Sequence, residues 1–81
     1  MIHYLKILPK HFQPVSEGKK LAELRENDRG FSVGDWLHLE EFDGKEYTGR
    51  NLTAEILHVA DVGAYLNGYV LLSIKLLADK Q

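Results

Sequence analysis

The first residues of the chain alternate between two kinds of position. In the stretch "IHYLKIL", His3, Leu5 and Ile7 occupy one set of positions, and Tyr4 and Lys6 occupy the other. Successive side chains of a strand point to opposite faces, so this alternation predicts a strand with one buried face. We expect His3, Leu5 and Ile7 to point inward.

The pattern changes in the next segment, "PKHFQPVSEG". Phe12 and Val15 lie three positions apart, as on one helix face, and Gly18 is a residue type that often follows a helix C-terminus. These features predict one short helix. Pro14 lies inside the segment, and a proline beyond the first turn removes a backbone hydrogen bond. We therefore expect the helix to begin late or to be kinked at Pro14.

The segment "KKLAELREN" has two interpretations. Its residue types favour a helix, but the glycine before it and the turn-forming "NDRG" after it leave little length for a stable one. The alternation of Leu21, Glu23 and Arg25 with Ala22 and Leu24 favours a strand. We predict a strand that brings Glu23 and Arg25 onto one face.

Three further strands are predicted from "WLHLEEF", "RNLTAEILHVA" and "YVLLSIKLL". The Asp43-Gly44 pair predicts a hairpin turn between the first two of them. We expect Trp36, at the start of "WLHLEEF", to pack in the core or at its rim. In "RNLTAEILHVA" the alternation puts Leu52, Ala54, Ile56 and His58 on one side and Thr53, Glu55, Leu57 and Val59 on the other. In the last strand we expect Val70, Leu72, Ile74 and Leu76 to point inward.

These segments together predict a mostly β (α+β) fold with about five strands and one short helix. A small sheet has edges to hide, and a curled or barrel-like arrangement hides them. A chain of 81 residues is long enough for one domain, residues 1–81, with a thin core.

Composition narrows the functional classes. The chain has no apolar run of about 18 residues and no signal-peptide pattern at its N-terminus, so we expect a cytoplasmic protein that does not span a membrane. Cysteine is absent, and His3, His11, His38 and His58 are dispersed along the chain. We therefore expect neither a metal site nor a cofactor.

Charge is unevenly distributed along the chain. Up to Arg29 there are six basic and four acidic residues, whereas from Gly30 onward there are four basic and eight acidic ones. The formal net charge of −2 argues against a protein that coats DNA by bulk attraction. A negatively charged partner is therefore expected to dock on the first third of the chain.

One motif in this basic third resembles a known family. Gly18-x-Lys20-x-x-Glu23-x-Arg25 matches the G-x-K-x-x-E-x-R signature of the ASCH domain (activating signal cointegrator homology), which belongs to the PUA-like superfamily. The stretches "HYLKIL", "HFQPV", "ELRENDRGFSVGD", "YTG" and "GYVLLSI" resemble a compact bacterial and phage branch of ASCH proteins. The resemblance covers nearly the whole chain.

The resemblance implies a PUA-like pseudo-barrel with one short helix packed beside it. It also implies a cleft between helix and barrel, lined by the motif residues, and an RNA- or nucleotide-binding module. In such a cleft Glu23 would orient Lys20 and Arg25 toward a phosphate or base, which the planar fork of arginine suits. The alternative is a solvated surface ion pair that contributes about 0–1 kcal/mol.

Further contacts with RNA are predicted from charge and aromatic character. Arg29 and Lys6 would extend the basic patch through phosphate contacts. Tyr47, in the stretch "YTGR", would stack on an unpaired base or else cover a barrel edge. The predicted ligand- or RNA-binding residues are Lys20, Glu23, Arg25, Arg29, Lys6, Tyr47, Thr48 and Arg50.

Two other functions stay open at this point. The first is an amidohydrolase that acts on an acetylated cytidine-type nucleoside, with Lys20 as a desolvated general base and Glu23 or Glu55 positioning water. The resemblance implies a threonine at the position of Glu23 in such enzymes, and this chain departs from it. The second is an adaptor whose acidic hairpin "EEFDGKE" contacts a protein partner.

Overall fold

The structure, a computed structural model, describes residues 1–77 as five strands and one helix. The elements in chain order are β1 (Ile2–Ile7), α1 (Pro9–Ser16), β2 (Ala22–Glu26), β3 (Trp36–Phe42), β4 (Tyr47–Asp61) and β5 (Tyr69–Leu76). The prediction of a mostly β fold with about five strands and one short helix is confirmed.

The strands form one sheet in the order β1-β3-β4-β5-β2. β1 pairs with β3 in parallel, and the other neighbouring strands are antiparallel. The sheet curls into a half-barrel, so that its two edge strands, β1 and β2, face each other across a gap. We call this gap the seam, the concave side of the sheet the inner face, and the convex side the outer face.

Two arginine side chains bridge the seam. Arg25 Nη2 donates a hydrogen bond to the backbone oxygen of Lys6 at 2.7 Å, and Arg29 Nη1 donates one to the backbone oxygen of Tyr4 at 3.2 Å. Both oxygens belong to β1, whose unpaired edge would otherwise present them to water or to another strand. Side-chain hydrogen bonds therefore connect β1 and β2, which are not paired through backbone hydrogen bonds.

The inner face and the helix enclose the core. Alternation in β1 places His3, Leu5 and Ile7 inward, as predicted, and α1 adds Phe12 and Val15. The buried apolar residues are Leu5, Ile7, Phe12, Val15, Phe31, Leu37, Leu39, Ala54, Ile56, Val70, Leu72 and Ile74. Burial of these side chains is the main source of stability in a chain of this size.

The helix does not begin late, which was one of the two alternatives predicted from Pro14. It begins at Pro9, whose fixed φ suits the first helical position, and it continues through Pro14. Gly18 follows its C-terminus with φ +74°, a conformation that favours glycine. Within residues 1–77, no helix combines the length and the apolar character needed to cross a membrane.

Two strand residues depart from the sequence pattern. An extra residue in β4 near Leu57 shifts its register against β5, so His58 is exposed, and Val59 packs against the core instead. A bulge of this kind exchanges the faces of all residues that follow it. Trp36 is 44% exposed and lies on the outer face, where it pairs in register with Ile2 and Glu55.

The predicted turn at Asp43-Gly44 is present. The Asp43 carboxylate accepts hydrogen bonds from the backbone N–H groups of Glu46 and Lys45, both at 2.9 Å, and these bonds lower the pKa of Asp43. Gly44 has φ +103°, which explains why glycine occupies this position.

Candidate functional site

A recess of about 370 Å³ lies between α1 and β2, beside the seam. Next to it the chain turns at the C-terminal end of α1, where the N–H groups of Lys19 and Lys20 donate to the Pro14 backbone oxygen, and then enters β2. Its volume is within the range of small-ligand sites. Its wall includes Ile7, Leu8, His11, Lys20, Glu23 and Arg25.

Glu23 is the buried carboxylate of this recess. Its position opposite Leu72 of β5 directs it to the inner face, where it is only 3% exposed. Arg25 Nε donates to Glu23 Oε2 at 2.9 Å, Arg25 Nη2 lies 2.9 Å from the same oxygen, and Lys20 Nζ lies 3.7 Å from Oε1. A buried carboxylate needs such partners, because removing it from water is costly. The structure thus brings together the three residues of the predicted cleft.

Lys20 is the more accessible cation of the recess. Its side chain is 36% exposed, and its Nζ lies 3.3 Å from His11 Nδ1 as well as near Glu23. The preceding lysine, Lys19, has a different environment, since its side chain is 77% exposed and pairs with Glu17 at 3.2 Å. Two adjacent lysines therefore differ in whether they face the recess.

Arg25 has a structural role beside its place in the recess. Its Nε and Nη2 atoms are directed at protein acceptors, the carboxylate of Glu23 and the backbone oxygen of Lys6. Arg29 lies in a neighbouring depression of about 320 Å³ along the seam, where it also contacts Asp28 at 3.7 Å. The structure thus places Arg25 and Arg29 along one seam. Arg25 lines both depressions, whereas Arg29 lines only the second.

Thr48 and Arg50 lie on the other flank of α1, around a second buried carboxylate, Glu41. Thr48 Oγ1 donates to Glu41 Oε1 at 2.6 Å, and Arg50 Nε lies 3.8 Å from the same oxygen. Arg50 Nη2 also donates to Gln13 Oε1 at 3.0 Å, and the guanidinium lies 4.6 Å from the centre of the Phe12 ring. These contacts hold Arg50 against the helix.

Glu41 was missed as a buried residue by the sequence interpretation, which placed it in a solvated acidic hairpin. It is 4% exposed. The signal that could have found it is the alternation of β3, because Leu37, Leu39 and Glu41 occupy successive inner-face positions. Only part of the predicted acidic surface is thus available to a partner.

The remaining candidates lie on the outer face. Lys6 borders the recess, but its Nζ extends over the outer face to 4.5 Å from the Phe42 ring centre and 5.9 Å from that of Tyr47. Glu55 pairs in register with Trp36 and Lys75, so it points away from the recess. The arrangement of Glu55 with Lys20 that the amidohydrolase hypothesis considered is therefore not formed.

Comparison with known proteins identifies a family. The family described as "Domain of unknown function (DUF3850)" matches residues 2–74. The chain belongs to this family. A relative, the "Uncharacterized 12.9 kDa protein in GpA 3'region" of Escherichia phage P2, is 45% identical over 71 residues, which are 88% of this chain. The matched region spans 65% of that phage protein, so the relative extends beyond it.

The matched part of this DUF3850 domain contains the clusters around Glu23 and Glu41. Residues 2–74 include both buried carboxylates, Glu23 and Glu41, and the cations that surround them. Among the residues that the structure describes, no group of three or more His, Cys, Asp or Glu side chains is arranged to hold a metal ion.

Proposed function

We propose that this DUF3850 domain binds a nucleotide-like ligand, such as one unit of an RNA strand, in the recess beside α1. The observation that carries the proposal is the buried Glu23, which holds Lys20 and Arg25 together at the wall of the recess. The resemblance of this motif to the ASCH signature supports the same function.

The chemistry of the recess suits a phosphate joined to a flat, partly apolar group. Lys20 offers an ammonium group that is still reached by solvent, and charge-assisted hydrogen bonds to phosphate are the stronger kind. Ile7 and Leu8 give the wall an apolar part, and His11 adds a ring with a polar edge. Because Arg25 already donates to protein acceptors, we assign the principal phosphate contact to Lys20.

A binding titration tests this assignment. Labelled single-stranded RNA and a free mononucleotide are each titrated at low and high salt, with the unmodified domain, Lys20→Ala and Lys19→Ala. We expect Lys20→Ala to weaken binding about tenfold, as loss of one charge-assisted contact does. Lys19→Ala removes the same charge outside the recess and should change the affinity less than twofold.

Salt dependence gives a second readout. Binding should weaken as salt rises, and Lys20→Ala should reduce that dependence. Absence of binding at low salt would overturn the proposal, and so would an equal loss of affinity in the two lysine variants.

The amidohydrolase alternative is supported less by the geometry. It needs a lysine removed from water, whereas the Lys20 side chain is 36% exposed, and Glu55 lies on the outer face. Incubation of the domain with acetylated cytidine, followed by chromatography, tests it directly. Formation of cytidine above background that depends on Lys20 would replace the binding proposal with this one.

A further inference from the structure

The outer face of β1, β3 and the start of β4 carries a row of exposed aromatic side chains. Tyr4 is 59% exposed, Trp36 is 44% exposed and Tyr47 is 52% exposed. The register places Tyr4 beside His38, and Phe42 beside Tyr47. We call the surface formed by Tyr4, Trp36, His38, Phe42 and Tyr47 the aromatic face.

Four of the five rings of the aromatic face contact one another in pairs. Tyr4 and His38 meet edge to face with centres 5.3 Å apart, and Phe42 and Tyr47 do so at 5.2 Å. Trp36 and Phe42 are six residues apart on β3, which corresponds to about 20 Å along the strand. This distance gives room for more than one base, and edge-to-face pairs fix the rings in place before a ligand arrives.

A cation lies at one end of the aromatic face. Lys6 Nζ is 4.5 Å from the Phe42 ring centre and 5.9 Å from that of Tyr47, while the same residue borders the recess. The recess and the aromatic face are therefore adjacent across β1. A strand with one nucleotide in the recess would pass Lys6 on its way onto the aromatic face.

We propose that the aromatic face is a stacking platform for unpaired bases of a single-stranded nucleic acid. The proposal rests on the proposed function for the class of ligand, and it adds a second contact surface to the recess. Bases stack on aromatic side chains whatever their sequence, because every base has a π face. The platform would thus supply affinity, and Lys6 would contact the phosphate between recess and platform.

The composition of the aromatic face favours nucleic acid over a second copy of this chain. Polar and charged side chains lie among the rings: Thr53 pairs in register with His38, Glu55 pairs with Trp36, and the Glu40–Asn51 pair lies in the row of Lys6. The buried centre of a protein–protein interface is depleted of charged residues. A surface of rings interspersed with hydrogen-bonding groups is instead typical of single-strand recognition.

Tryptophan fluorescence reports on this face alone, because Trp36 is the only tryptophan of the chain. We expect a short oligouridine to quench the emission. The midpoint of this quenching titration should equal the midpoint that is measured by fluorescence anisotropy of the labelled RNA. Duplex RNA, whose bases are paired, should not quench it. Tyr4→Ala and Tyr47→Ala should each weaken binding of the oligouridine about fivefold or more, the size expected for loss of one stacked base.

Tyr65→Ala is the matched control, because Tyr65 is 91% exposed but lies in the connection between β4 and β5. It should change the affinity less than twofold. Far-UV circular dichroism checks that each variant is folded. The loss caused by Tyr4→Ala should be the same at low and high salt, since stacking neutralises no phosphate.

The two proposals fail in different ways. If Lys20→Ala weakens binding but Trp36 is not quenched and the tyrosine variants bind normally, the platform is wrong and the recess stands. If the tyrosine variants weaken binding and Lys20→Ala behaves like Lys19→Ala, the recess is wrong and the platform stands. A dimer in sedimentation that Tyr4→Ala dissociates would show that a second copy covers the face, which would overturn the platform.

Discussion

Two buried glutamates on opposite flanks of α1 invite comparison. Glu23 on β2 and Glu41 on β3 are 3% and 4% exposed, and each is paired with an arginine. Arg25 meets Glu23 with two nitrogen atoms at 2.9 Å, whereas Arg50 approaches Glu41 at 3.8 Å, where a hydroxyl donates the short hydrogen bond.

The difference lies in what each carboxylate holds in place. Glu23 organises two cations, one of which closes the seam and the other of which faces the recess. Glu41 fixes a threonine and a half-exposed arginine at the helix flank. Equal burial therefore does not imply an equal role. The carboxylate with two charged partners links the closure of the barrel to the candidate site.

The largest expected effect comes from neutralising each glutamate in turn. Glu23→Gln leaves Arg25 and Lys20 without their counter-charge, and we expect the free energy of unfolding to fall by about 2–3 kcal/mol. This loss is smaller than that for breaking a fully buried ion pair, because both cations still reach water. Glu41→Gln keeps an acceptor for the hydroxyl and should cost about 1 kcal/mol. Urea unfolding measures both, and equal losses would contradict the distinction.

Removal of the arginines gives a somewhat smaller contrast. Arg25→Ala leaves Glu23 buried without its closest cation and removes a hydrogen bond across the seam, so we expect a loss of about 2 kcal/mol. Arg50→Ala removes a surface cation and should cost less than about 1 kcal/mol. The measurement is again urea unfolding.

Arg25→Lys makes this test more specific. It keeps the charge but not the planar fork, so it should recover only part of the stability that Arg25→Ala loses. Full recovery would mean that charge alone, without the bond to the Lys6 backbone oxygen, stabilises the seam.

The smallest effect concerns a third carboxylate, Asp35, at the far end of the inner face. A hydrogen bond from His3 at 2.9 Å, assisted by the backbone N–H of Ser32, holds the pKa of Asp35 below its ordinary value of 3.8. The folded-state pKa is thus lower than the unfolded one. The resulting stabilisation is present above the unfolded value and is lost as the pH falls through the folded one.

Asp35→Asn should therefore make the loss of stability below about pH 4 shallower. Asp28→Asn alters an exposed turn residue and should leave the loss of stability at low pH nearly unchanged. Acid titration of circular dichroism for the two variants measures the difference. An unaltered acid response in Asp35→Asn would show that the hydrogen bonds from His3 and Ser32 do not stabilise the carboxylate form.

The cluster around Glu23 was predictable because its residues are close in sequence. Glu23 and Arg25 are two positions apart on one strand, so their side chains must share a face, and the alternation showed this without any tertiary information. Lys20 follows from the same short segment. The recess itself was predicted only through the resemblance, since its other wall comes from α1 and β1.

The cluster around Glu41 depends instead on the pairing of β3 with β4. Arg50 meets Glu41 because the two residues follow the Glu40–Asn51 pair in the antiparallel register, and the register shift before Phe42 brings Thr48 toward Glu41 as well. The same kind of irregularity near Leu57 interrupts the alternation that had grouped His58 with Ile56. An irregularity in register depends on the packing of both strands, and alternation within one strand does not reveal it.

The sequence by itself determined the strands, the short helix and the shared face of Glu23 and Arg25, because these follow from side-chain periods within a few residues. Only the tertiary structure decided that Arg25 and Arg29 close the seam, that Glu41 is buried, and that Tyr4, Trp36 and Tyr47 share one surface. Each of these depends on which distant strands become neighbours, and that is set by the curl of the whole sheet around its core.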